Sequence, residues 1–144
     1  MRISTDKYFL ELAKLVAQRG TCTRRQVGCV LINKQNHIIS TGYNGVPSKM
    51  MHCVDTPCEA ARLNSGMGLD ECKAIHAESN AVAHCSSPYD IYTAYCTVSP
   101  CINCIKLLAA TTCERIMFLE EYPHIESKKY WTNLGRNWLL YYER

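Results

Sequence analysis

The tightest constraint in this 144-residue chain is a set of three metal-capable side chains split between two segments. One segment reads His76-Ala77-Glu78, and twenty-one residues later the other reads Pro100-Cys101-Ile102-Asn103-Cys104. One imidazole and two thiolates form a zinc ligand set, and a catalytic zinc keeps three protein ligands and leaves its fourth position to water. Glu78, two residues from the histidine, can lie beside that water without binding the ion. The flanking pattern is helix, strand, helix. Residues 75–85 are helical in pattern with Ala81, Val82 and Cys85 on the buried side, residues 91–98 read as a strand, and Ser99-Pro100 opens the next helix with proline at a favoured first-turn position. Cys101 and Cys104 are three apart and share one face of that first turn, where the dipole and free N–H groups favour thiolates. Two helix amino-terminal ends therefore converge on the ion.

Cysteine usage sets the context. The chain has ten cysteines, no amino-terminal apolar run that resembles a signal peptide, and no segment near the roughly 20 apolar residues of a bilayer span. It reads as intracellular and cytoplasmic, where clustered cysteines are metal ligands sooner than disulfides. A net charge of +3 is too weak to argue for a nucleic-acid surface and suits a small anionic substrate. The length fits one core, and no linker or repeat divides it, so residues 1–144 are expected to form a single domain.

The rest of the chain supplies a scaffold. Ser4-Thr5-Asp6 can cap a helix carrying Phe9, Leu12, Ala13 and Val16 at helical spacing; Gly20 ends it, and its expected role is to cover a sheet. Residues 27–32 read as a buried strand, 33–36 as a turn and 37–41 as the return strand of a hairpin. Gly42-Tyr43-Asn44-Gly45 then reads as a loop whose glycines permit positive φ and close approach to a ligand. Residues 48–73 lack a clean period and read as a long loop with a short helix near 59–64. A loop of that length in a compact domain has a function or an internal staple. Cys22, Cys53, Cys58 and Cys72 precede the catalytic motif, and four thiolates can close a tetrahedral structural zinc that pins this loop against the first strand, with His52 as a spare ligand. Residues 115–119 read as a strand, 127–134 as a short helix ended by Gly135, and 138–142 as a last strand. Cys29, Cys85, Cys96 and Cys113 fall on apolar runs and read as small core residues. Strands alternating with helices indicate an α/β layered domain around a central sheet.

The chemistry that fits the first cluster is hydrolysis at an amidine-like ring carbon bearing an exocyclic amine. Zinc makes hydroxide available near neutral pH. Glu78 takes the proton from the water and passes it to the ring nitrogen and then to the leaving amine. The rival is a closed site with a fourth cysteine, in which the ion is only structural.

The H-x-E and P-C-x-x-C pair is the signature of zinc nucleobase deaminases. The match extends further. His76-Ala77-Glu78-Ser79-Asn80-Ala81 fits H-A-E-x-N-A, residues 42–45 fit G-Y-N-G, and the run from Cys22 to Val30, ending Val27-Gly28-Cys29-Val30, is similar to a first strand, all as in the deoxycytidylate (dCMP) deaminase family. Over roughly residues 5–140 the chain resembles that family. The resemblance implies a cytidine deaminase-like fold, a three-layer α-β-α sandwich around a central mixed five-stranded sheet. It implies hydrolytic deamination of dCMP to dUMP, supplying dUMP for thymidylate synthesis; the alternative is action also on dCTP or on another cytosine nucleoside or nucleotide. It implies Glu78 as the catalytic acid–base, phosphate contacts at Arg24 and Tyr122, and substrate contacts at Ala77 and Asn44, with Asn80 bracing the site. Pro123 stands where some relatives carry an arginine. The resemblance further implies Cys22 and Cys53 as ligands of the second zinc, with Cys58 and Cys72 completing it. It implies an effector site at Gly42, Tyr43, Asn44 and Gly45 between subunits of a homohexamer, where dCTP with Mg2+ activates and dTTP inhibits. Neither nucleic acid nor membrane is an expected partner.

Overall fold

The cap read at Ser4 is present: its Oγ accepts a hydrogen bond from the Lys7 N–H at 3.1 Å, and α1 spans Thr5–Ala17. The computed structural model describes residues 1–21, 25–47 and 74–143. After α1 come β1 (Gly28–Ile32), β2 (Ile38–Tyr43), α2 (Ala77–Ala83), β3 (Thr93–Val98), α3 (Ile102–Ala109), β4 (Arg115–Glu120), α4 (Ile125–Asn133) and β5 (Asn137–Leu140), with one 3-10 turn over Pro88–Asp90.

The strands form one sheet in the order β2-β1-β3-β4-β5. β1 is antiparallel to both of its neighbours, whereas β3, β4 and β5 run parallel. Parallel pairing requires crossovers, and α3 and α4 supply them. Side-chain parity then divides the core into two. Val30, Ile32, Tyr95 and Met117 face Phe9, Leu10 and Ala13 of α1. Cys29, Leu31, Ala94, Cys96, Ile116 and Phe118 face Ala77, Ala81, Ile105, Leu108 and Trp131 on the other three helices. Covered on both sides, β1 is buried at all five positions and reads as a continuous apolar run. The result is the expected layered sandwich with a mixed five-stranded sheet. At Gly28 a Cβ atom would lie 2.1 Å from the Ala13 carbonyl oxygen, so glycine is what lets α1 lie directly on β1. Cys29, Cys96 and Cys113 are fully buried and Cys85 packs against the same core, as their apolar surroundings in the sequence suggest.

Two local readings change. β2 runs two residues past Thr41, because Cys29 and Gly28 pair with Gly42 and Tyr43 and carry the ladder onward. Gly42 and Tyr43 are therefore strand residues. Among the described residues the only glycine with positive φ is Gly135 (φ 77), which ends α4. The helix bearing the cysteines also starts later than Ser99-Pro100. The Ser99 N–H is still bonded to the Glu120 carbonyl at 2.9 Å, which holds the chain on the sheet's path. Pro100 precedes the helix, Cys101 is its N-cap in extended conformation, and α3 begins at Ile102. Cys22, Arg24, His52, Cys53, Cys58, Cys72 and the short helix expected near 59–64 lie outside the described residues.

Candidate active site

β3 delivers the chain from the middle of the sheet to Cys101 at its carboxyl edge, where open α/β sheets place their ligands. His76 is the N-cap of α2 and Cys101 the N-cap of α3, and Cys104 lies in the first turn of α3. The two helix starts meet there. His76 Nδ1 is 3.4 Å from Cys101 Sγ and 3.5 Å from Cys104 Sγ. All three ligand atoms lie within 4.8 Å of one another. A tetrahedral ion with ordinary Zn–N and Zn–S bond lengths requires N···S edges of about 3.6 Å. The donor set and its spacing therefore fit zinc. Among the described residues, no fourth His, Cys, Asp or Glu atom joins the group.

The electrostatics favour thiolate. Cys104 donates a hydrogen bond to Cys101 and His76 adds another, which holds Cys101 far below the ordinary thiol range. Cys104, as the donor and almost fully buried, is pushed up in turn. A divalent cation would replace the shared proton and let both ionise. Ser79, which the sequence left without a role, places its Oγ 3.6 Å from Cys104 Sγ. It is three residues after His76, so it lies on the same helical face. Glu78 is 4% exposed. Burial pushes its carboxyl above the usual range, while its own backbone N–H and His76 pull it back.

The segment 42–45 positions α2. A Cβ at Gly42 would sit 2.4 Å from both the Ala77 carbonyl oxygen and the Ala81 nitrogen. The close approach its glycine permits is to a helix. Gly45 and Ile75 exchange backbone hydrogen bonds at 3.0 and 2.8 Å just ahead of His76. Asn80 Nδ2 donates to the Tyr43 carbonyl at 2.9 Å, the bracing role expected of it. The buried Asn44 side chain accepts from the Val27 N–H at 2.8 Å and donates to the Arg25 carbonyl at 2.5 Å. Of the four residues, Tyr43 alone is exposed. Ala77 is fully buried at the start of α2. Replacing Gly42 by alanine is expected to displace α2, and His76 with it. Zinc affinity, measured against a competing chelator, should fall about 10–100-fold, the usual cost of a lost supporting contact.

Tyr122 is half-buried beside the site. Its N–H donates to Ser99 Oγ at 2.7 Å, one residue before Pro100. The Arg25 guanidinium lies 6.0 Å from the centre of its ring and pairs with Glu120 at 2.5 Å. Arg24, the phosphate contact that the resemblance implies, lies outside the described residues.

The comparisons with known proteins agree with this geometry. The family model for the cytidine and deoxycytidylate deaminase zinc-binding region matches residues 3–120. The chain belongs to that family. The deoxycytidylate deaminase of Mycobacterium phage D29 is 37% identical over 122 residues, covering 81% of this chain and 94% of the phage protein. The deoxycytidylate deaminase of Saccharomyces cerevisiae is 33% identical over 124 residues, 85% of this chain but 39% of the yeast protein. The chain thus matches about two fifths of the length of the yeast relative. Among solved folds, the dCMP deaminase of cyanophage S-TIM5 in complex with dCMP and dUMP superposes with a TM-score of 0.71 at 24% identity, covering 96% of this chain and 98% of that one. The cytidine deaminase-like fold expected from the sequence is therefore the fold observed. Among the described residues no helix is long and apolar enough to cross a membrane.

Proposed function

We propose that this protein hydrolyses dCMP to dUMP and ammonia. The observation that carries the reading is a nearly buried Glu78 two residues from His76, in an N/S/S set spaced for one tetrahedral ion. His76, Cys101 and Cys104 would hold a zinc ion, which would supply the Lewis acidity that makes water a usable nucleophile near neutral pH. Glu78 accepts a proton from the attacking water and returns protons to the ring nitrogen and the departing amine. Its burial keeps the carboxyl away from bulk solvent, so the protons it handles stay in the site. Arg24 and Tyr122 are assigned to the substrate phosphate, Ala77 to the substrate edge along the start of α2, and Asn44 to the sugar hydroxyl. Asn44 can contribute only through what its two backbone bonds leave over.

The dUMP formed serves thymidylate synthesis. Regulation by dCTP with Mg2+ and by dTTP at residues 42–45 of a homohexamer belongs to the same reading, with Tyr43 as the side chain best exposed to an effector. A second zinc on Cys22, Cys53, Cys58 and Cys72 completes it. The phage D29 relative supports the substrate assignment, since it is a deoxycytidylate deaminase of nearly this chain's extent. Ammonia release should be measured on dCMP, dCTP, CMP and deoxycytidine, each with and without dCTP or dTTP. dCMP is expected to give the highest kcat/KM. A protein that releases ammonia from none of the four overturns the reading. Metal analysis should give two zinc ions per chain, and a value of one removes the cysteine-only site.

A further inference from the structure

Ser79 has no place in the chemistry above, yet its hydroxyl meets a ligand atom. Its Oγ lies 3.6 Å from Cys104 Sγ, a length suited to sulfur, whose radius exceeds that of oxygen. The contact crosses from α2 to α3. α2 is thus the source of one ligand, His76 at its N-cap, and of a polar group against another.

The local hydrogen bonding leaves the hydroxyl this role. A serine inside a helix ordinarily bonds back to the carbonyl three or four residues earlier. For Ser79 the fourth is the Ile75 carbonyl, and both of its lone pairs are engaged. The Gly45 N–H reaches it at 3.0 Å and Asn80 Nδ2 at 3.3 Å. The third is the His76 carbonyl, which takes the Asn80 N–H at 2.9 Å. Cys104, for its part, is 1% exposed, so water is no ready donor to its sulfur. Without an ion the Ser79–Cys104 pair can bond in either sense. A metal-bound Cys104 is a thiolate, which only accepts, so Ser79 must then donate. The two sulfurs draw on different sources: Cys101 accepts from the Cys104 backbone N–H within α3, and Cys104 from a hydroxyl on the other helix. A donor to a ligand sulfur fixes its rotamer and draws charge from it, which leaves the ion more electrophilic.

We infer that Ser79 is a positioning residue for the metal site: its hydroxyl donates to the Cys104 sulfur from α2, locks that ligand in its binding rotamer and draws charge from it. The inference rests on reading the cluster as a zinc centre, and adds to it the residue that sets how strongly one thiolate gives charge to the ion.

The test compares Ser79→Ala and Ser79→Thr with the wild-type protein. Zinc affinity is measured against a competing chelator. The cobalt(II)-substituted protein is examined by absorption, because its sulfur-to-cobalt charge-transfer band reads the energy of the thiolate electrons. Ser79→Ala should lower zinc affinity about 10-fold, the low end of the usual cost of a lost supporting contact. It should also move the band to longer wavelength, since a sulfur without a donor gives up charge more readily. Ser79→Thr keeps a hydroxyl and should restore both. Alanine is the better helix former, so metal-free Ser79→Ala should melt no lower than metal-free wild-type protein. That separates a lost hydrogen bond from a damaged helix. Affinity and band unchanged in Ser79→Ala, or equal losses in the alanine and threonine variants, overturn the inference and leave the zinc reading standing. A wild-type protein that takes up neither zinc nor a thiolate-bound cobalt overturns the zinc reading, and the inference with it. Neither readout uses a substrate, so both are independent of the ammonia-release assay.

Discussion

Glu78→Gln is expected to lower kcat on dCMP by about 10²–10⁴-fold, the range of a lost general acid–base, while zinc content stays at the wild-type value. The two halves of this result come from different features. Glutamine has nearly the same shape as glutamate and fits the same buried position, and the His76, Cys101 and Cys104 ligand atoms are untouched. It can no longer accept the proton of the attacking water. The metal-free proteins should differ in the opposite sense. With no cation present, burial raises the Glu78 pKa above its unfolded value. A group whose folded pKa is raised contributes stability below its unfolded pKa and loses that contribution as pH rises. As pH rises above the ordinary carboxylate range, metal-free wild-type protein should therefore lose stability relative to metal-free Glu78→Gln. Added zinc should reverse the order, because a cation beside the carboxylate favours its ionised form. Retained turnover in the variant would remove Glu78 from its assigned role. A matching loss of zinc would recast it as a ligand.

Most of this site was legible in the sequence because its constraints are local. The N-cap at Ser4, the apolar run of β1 and the three-residue spacing of Cys101 and Cys104 each express one short-range rule, and each appears where that rule puts it; the partnership with His76, 25 residues away, was legible only as a motif. Contacts between distant segments were less legible. Nothing within Gly42-Tyr43-Asn44-Gly45 says that α2 will press against it, or that a Cβ added at Gly42 would meet the Ala77 carbonyl oxygen at 2.4 Å. The start of α3 was misplaced for a similar reason. Pro100 is a good helix opener by local preference, but the Ser99 bond to Glu120, across the sheet, keeps the chain extended until Cys101. The pairing of Arg25 with Glu120 joins residues 95 apart in sequence, and no periodicity announces it.

Cys104→Ser is expected to strip the catalytic ion, abolish measurable turnover and lower the melting temperature to that of chelator-treated wild-type protein. His76 caps α2 and Cys104 lies in the first turn of α3, so an ion shared by them ties two helices that the chain joins only through β3. Serine keeps the size but offers a hydroxyl in place of a thiolate, a poor zinc donor that does not ionise near neutral pH. Two good ligands remain, and two do not define a tetrahedron. An ion that binds the folded chain alone stabilises it by RT ln(1 + [L]/Kd), about 4 kcal/mol when free zinc is a thousand-fold above Kd. Losing that term should lower the melting temperature by roughly ten degrees in a chain of this size. Adding a chelator that strips only the catalytic ion should then change the wild-type protein and leave Cys104→Ser where it is. The fold itself should survive, because the apolar core under α3 and α4 rests on Ile105, Leu108 and Trp131, all fully buried. Metal analysis of the variant should fall by one zinc equivalent relative to the wild-type protein. A variant that kept the wild-type zinc content and melted with the wild type would show that Cys104 is a buried thiol and no ligand.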